Sequence, residues 1–135
     1  YWMAPGQEPM GFDDRSVTKP IMNGWHVEMD FIGNMMGQPW RGRSTRSYDQ
    51  VRKQYTNVWI VDNGSTVTVA KGQANDKGEL ILKSDDLNFM TMSVQPSETV
   101  MRWTGDDSYV MEMWWVGEDG KRTSKMMEIV YTRKE

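Results

Sequence analysis

Residues 99–133 read TVMRWTGDDSYVMEMWWVGEDGKRTSKMMEIVYTR. Large apolar side chains take every second place: Met101 and Trp103, then Met111, Met113 and Trp115. Between and beyond them stand Arg102, Thr104, Glu112 and Lys125. A period of two is that of a β-strand with one buried face. Gly105-Asp106-Asp107 and Glu118-Asp119-Gly120 interrupt the alternation with turn residues, so the stretch is expected to run as three strands joined by two tight turns. Centring the first turn on Asp107 sets Met101 opposite Met113 and Trp103 opposite Met111. On the other side it sets Arg102 against Glu112, Val100 against Trp114 and Thr104 against Val110. One register then yields an apolar face and a cross-strand ion pair together. In the third strand Met127, Ile129 and Tyr131 are expected on the apolar side, with Glu128 on the other.

The same pattern extends upstream. Trp25, Val27, Met29 and Phe31 alternate with His26, Glu28 and Asp30 as a half-buried strand. Ser16–Lys19, Trp40–Tyr48, Tyr55–Asp62, Thr66–Gly72 and Leu80–Ser84 are further strand candidates. The alternate set Trp40, Gly42, Ser44, Arg46, Tyr48 is semi-polar and leaves both facings open. Asn63-Gly64 and Asp76-Lys77-Gly78 are hairpin signals, and Pro96 is expected at a turn. No segment carries a 3.6-residue period over helical length. About 8–10 strands joined by short turns make an all-β antiparallel up-and-down meander, and closure into a barrel removes its edges. A sandwich is the alternative.

With 135 residues there is room for one domain, taken as 1–135. Net charge is −3 with both signs interspersed, which argues against a nucleic-acid partner. The one basic cluster, Arg41, Arg43, Arg46, Arg52 and Lys53, is expected to be the wet face of a strand and its turn. Absence of cysteine excludes disulfides and thiolate-based sites. No apolar run is long enough for a transmembrane segment. The chain opens at Tyr1, and Tyr1-Trp2-Met3-Ala4 reads as the end of a strand. We therefore expect the natural N-terminus to be longer, and an opening without Met favours an extracytoplasmic setting.

Tyr48-Asp49, Trp59-Ile60-Val61-Asp62-Asn63, Ala70-Lys71-Gly72, the Glu112 strand with Asp119-Gly120, and the closing Met127-Glu128-Ile129-Val130-Tyr131-Thr132-Arg133-Lys134 form a recognisable text. With Pro5-Gly6 and 33–39 they make the chain resemble the bacterial family catalogued as domain of unknown function 1579. The resemblance implies a small barrel of the calycin or lipocalin kind, with a cavity, here expected to lack the start of its first strand. It implies no catalytic residue.

The chemistry-bearing residues are sparse. One histidine, His26, and no Gly-x-Ser-x-Gly elbow leave a serine hydrolase without its parts. Asp13-Asp14, Asp85-Asp86 and Asp106-Asp107 are read as turn chemistry rather than metal ligands. Thioethers at Met35-Met36, Met111, Met113 and Met126-Met127 suit Cu(I) or haem iron in principle. No spacing singles them out, and packing accounts for them. No cofactor and no enzymatic activity are expected.

Seven Trp and thirteen Met instead suit an adaptable apolar lining. We take Trp59, Met101, Trp103, Met111, Met113 and Trp115 as candidate ligand-contacting residues. Tyr131 and Arg133, two apart and so on one face, are added as a candidate carboxylate clamp. The expected function is binding of a small apolar ligand. The alternative is a structural or accessory subunit that meets a protein partner, or another copy of itself, through an outward apolar strip of Val100, Val110 and Trp114.

Overall fold

The structure, a computed structural model, describes residues 1–2 and 5–134. The strand end expected over 1–4 falls partly on Met3 and Ala4, outside the described residues. Nine strands follow one another: β1 (Arg15–Ile21), β2 (His26–Met35), β3 (Gln38–Asp49), β4 (Gln54–Val61), β5 (Thr68–Ala74), β6 (Leu80–Asn88), β7 (Ser93–Gly105), β8 (Ser108–Val116) and β9 (Arg122–Thr132). They are ordered in the sheet as in the chain, an antiparallel meander. Among the described residues the one helical element is a 3₁₀ turn, Met22–Gly24. The chain divides into two compact units, Gly11–Lys71, and Tyr1–Met10 with Gly72–Glu135.

In the unit Gly11–Lys71, the ladders align Phe31 with Gly42 and Val61, and Met29 with Ser44 and Trp59. Phe31 is buried and touches two indoles, Trp40 at 5.1 Å and Trp59 at 6.2 Å between centroids. The indoles meet edge to face at 6.3 Å, a geometry their quadrupoles favour. Each lies against a glycine. A Cβ on Gly33 would come within 2.6 Å of Trp40 Nε1, and one on Gly42 would overlap the Trp59 ring. The opposite face is charged: Arg43 Nε donates to Asp30 at 2.7 Å, and Lys19 pairs with Glu28 at 3.7 Å.

Two expectations are corrected in this unit. The basic cluster does not share one wet face. Arg46, opposite Asn57, is half-buried on the aromatic side, whereas Arg43 faces Asp30 and Arg52 turns onto Asp49 at 2.7 Å. An offset of three residues along a strand reverses the facing, so Arg43 and Arg46 were bound to separate. Asn63-Gly64 is not a two-residue hairpin either. The chain from β4 to β5 runs through residues 62–67, held at its start by Arg41 N–H bonding to Asp62.

In the second unit, Leu80 lies opposite Met101 and Leu82 opposite Thr99, and all four are buried. The turns at Asn75–Glu79 and Gly117–Lys121 close alike. In each the first backbone N–H bonds the last carbonyl at 2.9 Å, and Gly78 and Gly120 adopt positive φ. Pro96 is not at a turn but inside β7, opposite Asp85. The β7–β8 ladder stops at Ser97↔Trp115, so Pro96 has no β8 partner awaiting an N–H, which is the situation a strand proline tolerates.

The β7–β8 register is displaced from the expected one by two residues. Met101 faces Met111, Thr99 faces Met113, Trp103 faces Tyr109, and Val100 faces Glu112. The turn closes on Asp106-Asp107 between the Gly105↔Ser108 pair, with an irregularity between Trp103 and Gly105. A two-residue slip keeps every side chain on its face. The ion pair survives as a diagonal contact, Arg102 Nη2 to Glu112 Oε1 at 2.6 Å. Across β8–β9, Tyr131, Ile129 and Met127 lie opposite Tyr109, Met111 and Met113, the facing expected for them.

Candidate functional site

The odd-numbered face of β7 and β8 carries the residues singled out from the sequence. Met101 is fully buried, 1% exposed, and forms the floor of this face. Met111, Met113, Trp115, Met127, Ile129 and Tyr131 are only half-buried. At one end three rings stand on adjacent strands: Trp103 to Tyr109 at 5.9 Å, and Tyr109 stacked on Tyr131 at 4.4 Å. Toward the other end the buried Ser97 hydroxyl meets Ser84 Oγ at 3.0 Å and the Asp86 carboxylate, which also accepts from Ser84 at 3.1 Å. Ser97 and Trp103 are six positions apart on β7, about 20 Å at strand rise. The face is thus apolar along its length, aromatic at one end and hydroxyl–carboxylate at the other. Sequence reasoning missed Tyr109, although its parity with Met111 was the available signal. It also missed Ser84, Ser97 and Asp86, whose polar type carries no such signal.

Trp59 lies in the other unit, with Phe31 and Trp40. Arg133 is engaged by Asp107. Its N–H bonds the Asp107 carbonyl at 2.8 Å and its guanidinium pairs with the Asp107 carboxylate at 3.2 Å, both side chains well exposed at 73% and 63%. β9 ends at Thr132, so alternation no longer governs the next side chain, and the nearby acid claims it.

The even-numbered face is a second constellation. Glu112 receives Arg102 at 2.6 Å and Trp114 Nε1 at 3.1 Å, and Lys125 stands 3.6 Å away while bonding Glu128 at 2.7 Å. The Lys125 ammonium lies over two rings, Trp114 at 5.2 Å and Trp2 at 5.6 Å. Arg122 covers Trp114 at 5.8 Å and is bound by Glu98 Oε1 at 2.6 and 2.8 Å. Trp2 is held there by its N–H to the Met126 carbonyl, 2.8 Å, at the point where the β8–β9 register shifts. The outward apolar strip expected from Val100, Val110 and Trp114 is broken: Val100 is buried, Val110 and Trp114 are half-buried, and Trp114 lies under two cations. Cations lying on an indole contribute of order 1 kcal/mol each when partly desolvated.

Burial pushes the Glu112 carboxyl up. The hydrogen bonds from Arg102 and Trp114 and the charges of Lys125 and Arg102 outweigh it, so its pKa lies below the usual carboxylate value. The Lys125 ammonium is held above its usual value, first by its bond to Glu128, against the opposing effect of burial. A depressed carboxylate contributes stability above its unfolded pKa and loses it as pH falls through the folded one. A raised ammonium contributes below its unfolded pKa and loses it as pH rises through the folded one. Glu112→Gln is accordingly expected to lower the melting temperature at neutral pH. The gap from the unsubstituted protein should narrow as pH drops below the carboxylate range; a gap constant down to acid would show that Glu112 ionisation does not support the fold.

Among the described residues no three His, Cys, Asp or Glu side chains gather as a metal site, and no helix is long and apolar enough to cross a membrane. A family model described as a protein of unknown function (DUF1579) matches residues 1–133. No curated protein and no solved structure matches the chain.

Proposed function

The chain belongs to the DUF1579 family, and we propose from the geometry of its second unit that it is a non-enzymatic binding module for a small apolar ligand. One observation carries this reading. A close-packed interior buries its large apolar side chains almost completely, yet on the odd face of β7–β9 Met111, Met113, Trp115, Met127, Ile129 and Tyr131 all keep access to solvent above a buried floor. Thioethers and rings of this kind adapt to a guest at little cost. The Ser84–Ser97–Asp86 end supplies the few fixed polar groups by which such sites orient a ligand. The closed calycin-type barrel belongs to the same proposal, since an enclosed ligand needs walls on every side. The accessory-subunit reading loses its motive where Val100 is buried and Arg122 and Lys125 lie over Trp114.

The neutral fluorescent probe N-phenylnaphthylamine tests the proposal. Saturable enhancement is expected, and Met111→Ser combined with Met113→Ser should weaken it at least about tenfold through lost apolar contact. Amide NMR would confirm that the double variant stays folded. Enhancement that never saturates, or that is indifferent to both substitutions in the folded variant, would refute it.

A further inference from the structure

Trp103 is 57% exposed, unusual for a side chain whose large apolar area is normally covered. Its ring ends the row Tyr131, Tyr109, Trp103, one ring from each of three neighbouring strands. The next place in that row belongs to the β5–β6 turn. The β6–β7 ladder ends at Leu80↔Met101, and beyond it Gly78 and Glu79 of the turn line one cleft with Arg102 and Trp103. Gly78 has no side chain, and a Cβ placed there would touch nothing within 4 Å. The row of rings therefore stops at an open cleft of about 320 Å³, lined by Lys77, Gly78, Glu79, Arg102, Trp103 and Thr104.

The rim of the cleft is polar and held in place. Glu79 is fixed by Asn75, whose Nδ2 donates to Glu79 Oε1 at 2.9 Å and whose Oδ1 accepts the Glu79 N–H at 3.0 Å. Glu79 Oε2 has the Arg102 guanidinium at 4.0 Å, leaving room for a further donor. Arg102 is in turn anchored by Glu112 at 2.6 Å. Lys77 adds an exposed ammonium from the same turn.

We propose that this cleft is a saccharide-binding site that seats one pyranose ring on Trp103. The Trp103 ring gives the cleft an apolar wall, and Lys77, Glu79, Arg102 and Thr104 bring charged and hydroxyl groups to the same lining. A pyranose bearing one axial hydroxyl, as galactose and mannose do, has that same division: axial C–H groups make one face apolar, the axial hydroxyl marks the other, and equatorial hydroxyls ring the perimeter. Its C–H face lies on the indole, its perimeter hydroxyls donate to Glu79 and accept from Arg102 and Lys77, and its other face stays in water. A flat heteroaromatic ring has two apolar faces and would leave one of them wet here. The cleft adjoins the aromatic end of the face proposed for the apolar ligand, but the saccharide assignment does not rest on that reading.

Amide NMR of the intact chain, titrated with methyl glucoside, methyl galactoside and methyl mannoside, tests the assignment, with adenosine as the heteroaromatic arm. At least one pyranoside is expected to shift the Trp103 indole N–H and the Gly78 amide saturably, without displacing N-phenylnaphthylamine. Trp103→Ala should abolish the shifts at Gly78, Trp103→Phe should restore part of them, and Glu79→Gln should weaken binding about tenfold by removing a charge-assisted hydrogen bond. Trp103 is exposed enough that its replacement leaves the fold intact, which the remaining amide spectrum reports. Pyranosides that leave both signals unmoved, adenosine binding there in their place, or sugar binding that survives Trp103→Ala would each overturn the proposal.

Discussion

Met101→Ala lowers folding stability by about 3 kcal/mol, read as a reduced denaturation midpoint with an unchanged slope. Met101 is 1% exposed and sits where two ladders meet, opposite Leu80 on β6 and Met111 on β8. Val100 beside it is buried on the other face, so the middle of β7 is covered from both sides. Truncation removes the transfer free energy of the thioether chain and leaves a cavity that the flanking strands cannot close, because their backbones are pinned by the ladder. Met101→Leu, which keeps most of the volume, should recover all but about 1 kcal/mol. A loss below about 1 kcal/mol for the alanine variant would mean that the β6–β7–β8 centre is loosely packed, contrary to the burial described.

Gly72→Ala is expected to be of comparable size, about 3 kcal/mol, through the opposite cause. Gly72 is in β5, and a Cβ at that position would fall on the Ile81 carbonyl oxygen of β6, with Leu82 Cα also at 3.0 Å. The obstacle is backbone, so no rotamer change relieves it. β5 or β6 must move, and Leu82, among the most completely buried side chains, moves with it. Equilibrium unfolding and amide exchange across 80–88 read the effect. Normal stability with unchanged exchange in β6 would show that the two strands do not approach this closely at Gly72.

These two positions differ in how far the sequence announces them. The alternation of Met101 with Trp103 marks Met101 as inward. Gly72 stands in a threonine- and valine-rich stretch with nothing to distinguish it from a turn glycine, because the atom it must avoid belongs to Ile81. The facing of Met111, Met113, Met127, Ile129 and Tyr131 was legible for the same reason as Met101, and so was the attraction of Arg102 to Glu112. Their pairing was not. A slip of two residues leaves both faces as they were, so the pattern that sets the facing is silent about the partner. The local closure of Asp106-Asp107 sets that instead.

The candidate site divides along the same line. Strand character, the antiparallel meander, and the common face of the large odd-numbered residues of 99–131 follow from a period of two and from turn chemistry, which act between residues close in the chain. Only the tertiary structure decided that Arg122 and Lys125 lie on Trp114, and that Trp2 comes from the far end of the chain to the same ammonium. It alone placed Arg133 on Asp107 and left a ring-sized gap beside Trp103 at Gly78. Each of these depends on which side chain arrives from another strand or terminus, and a pattern read along one strand carries no record of that.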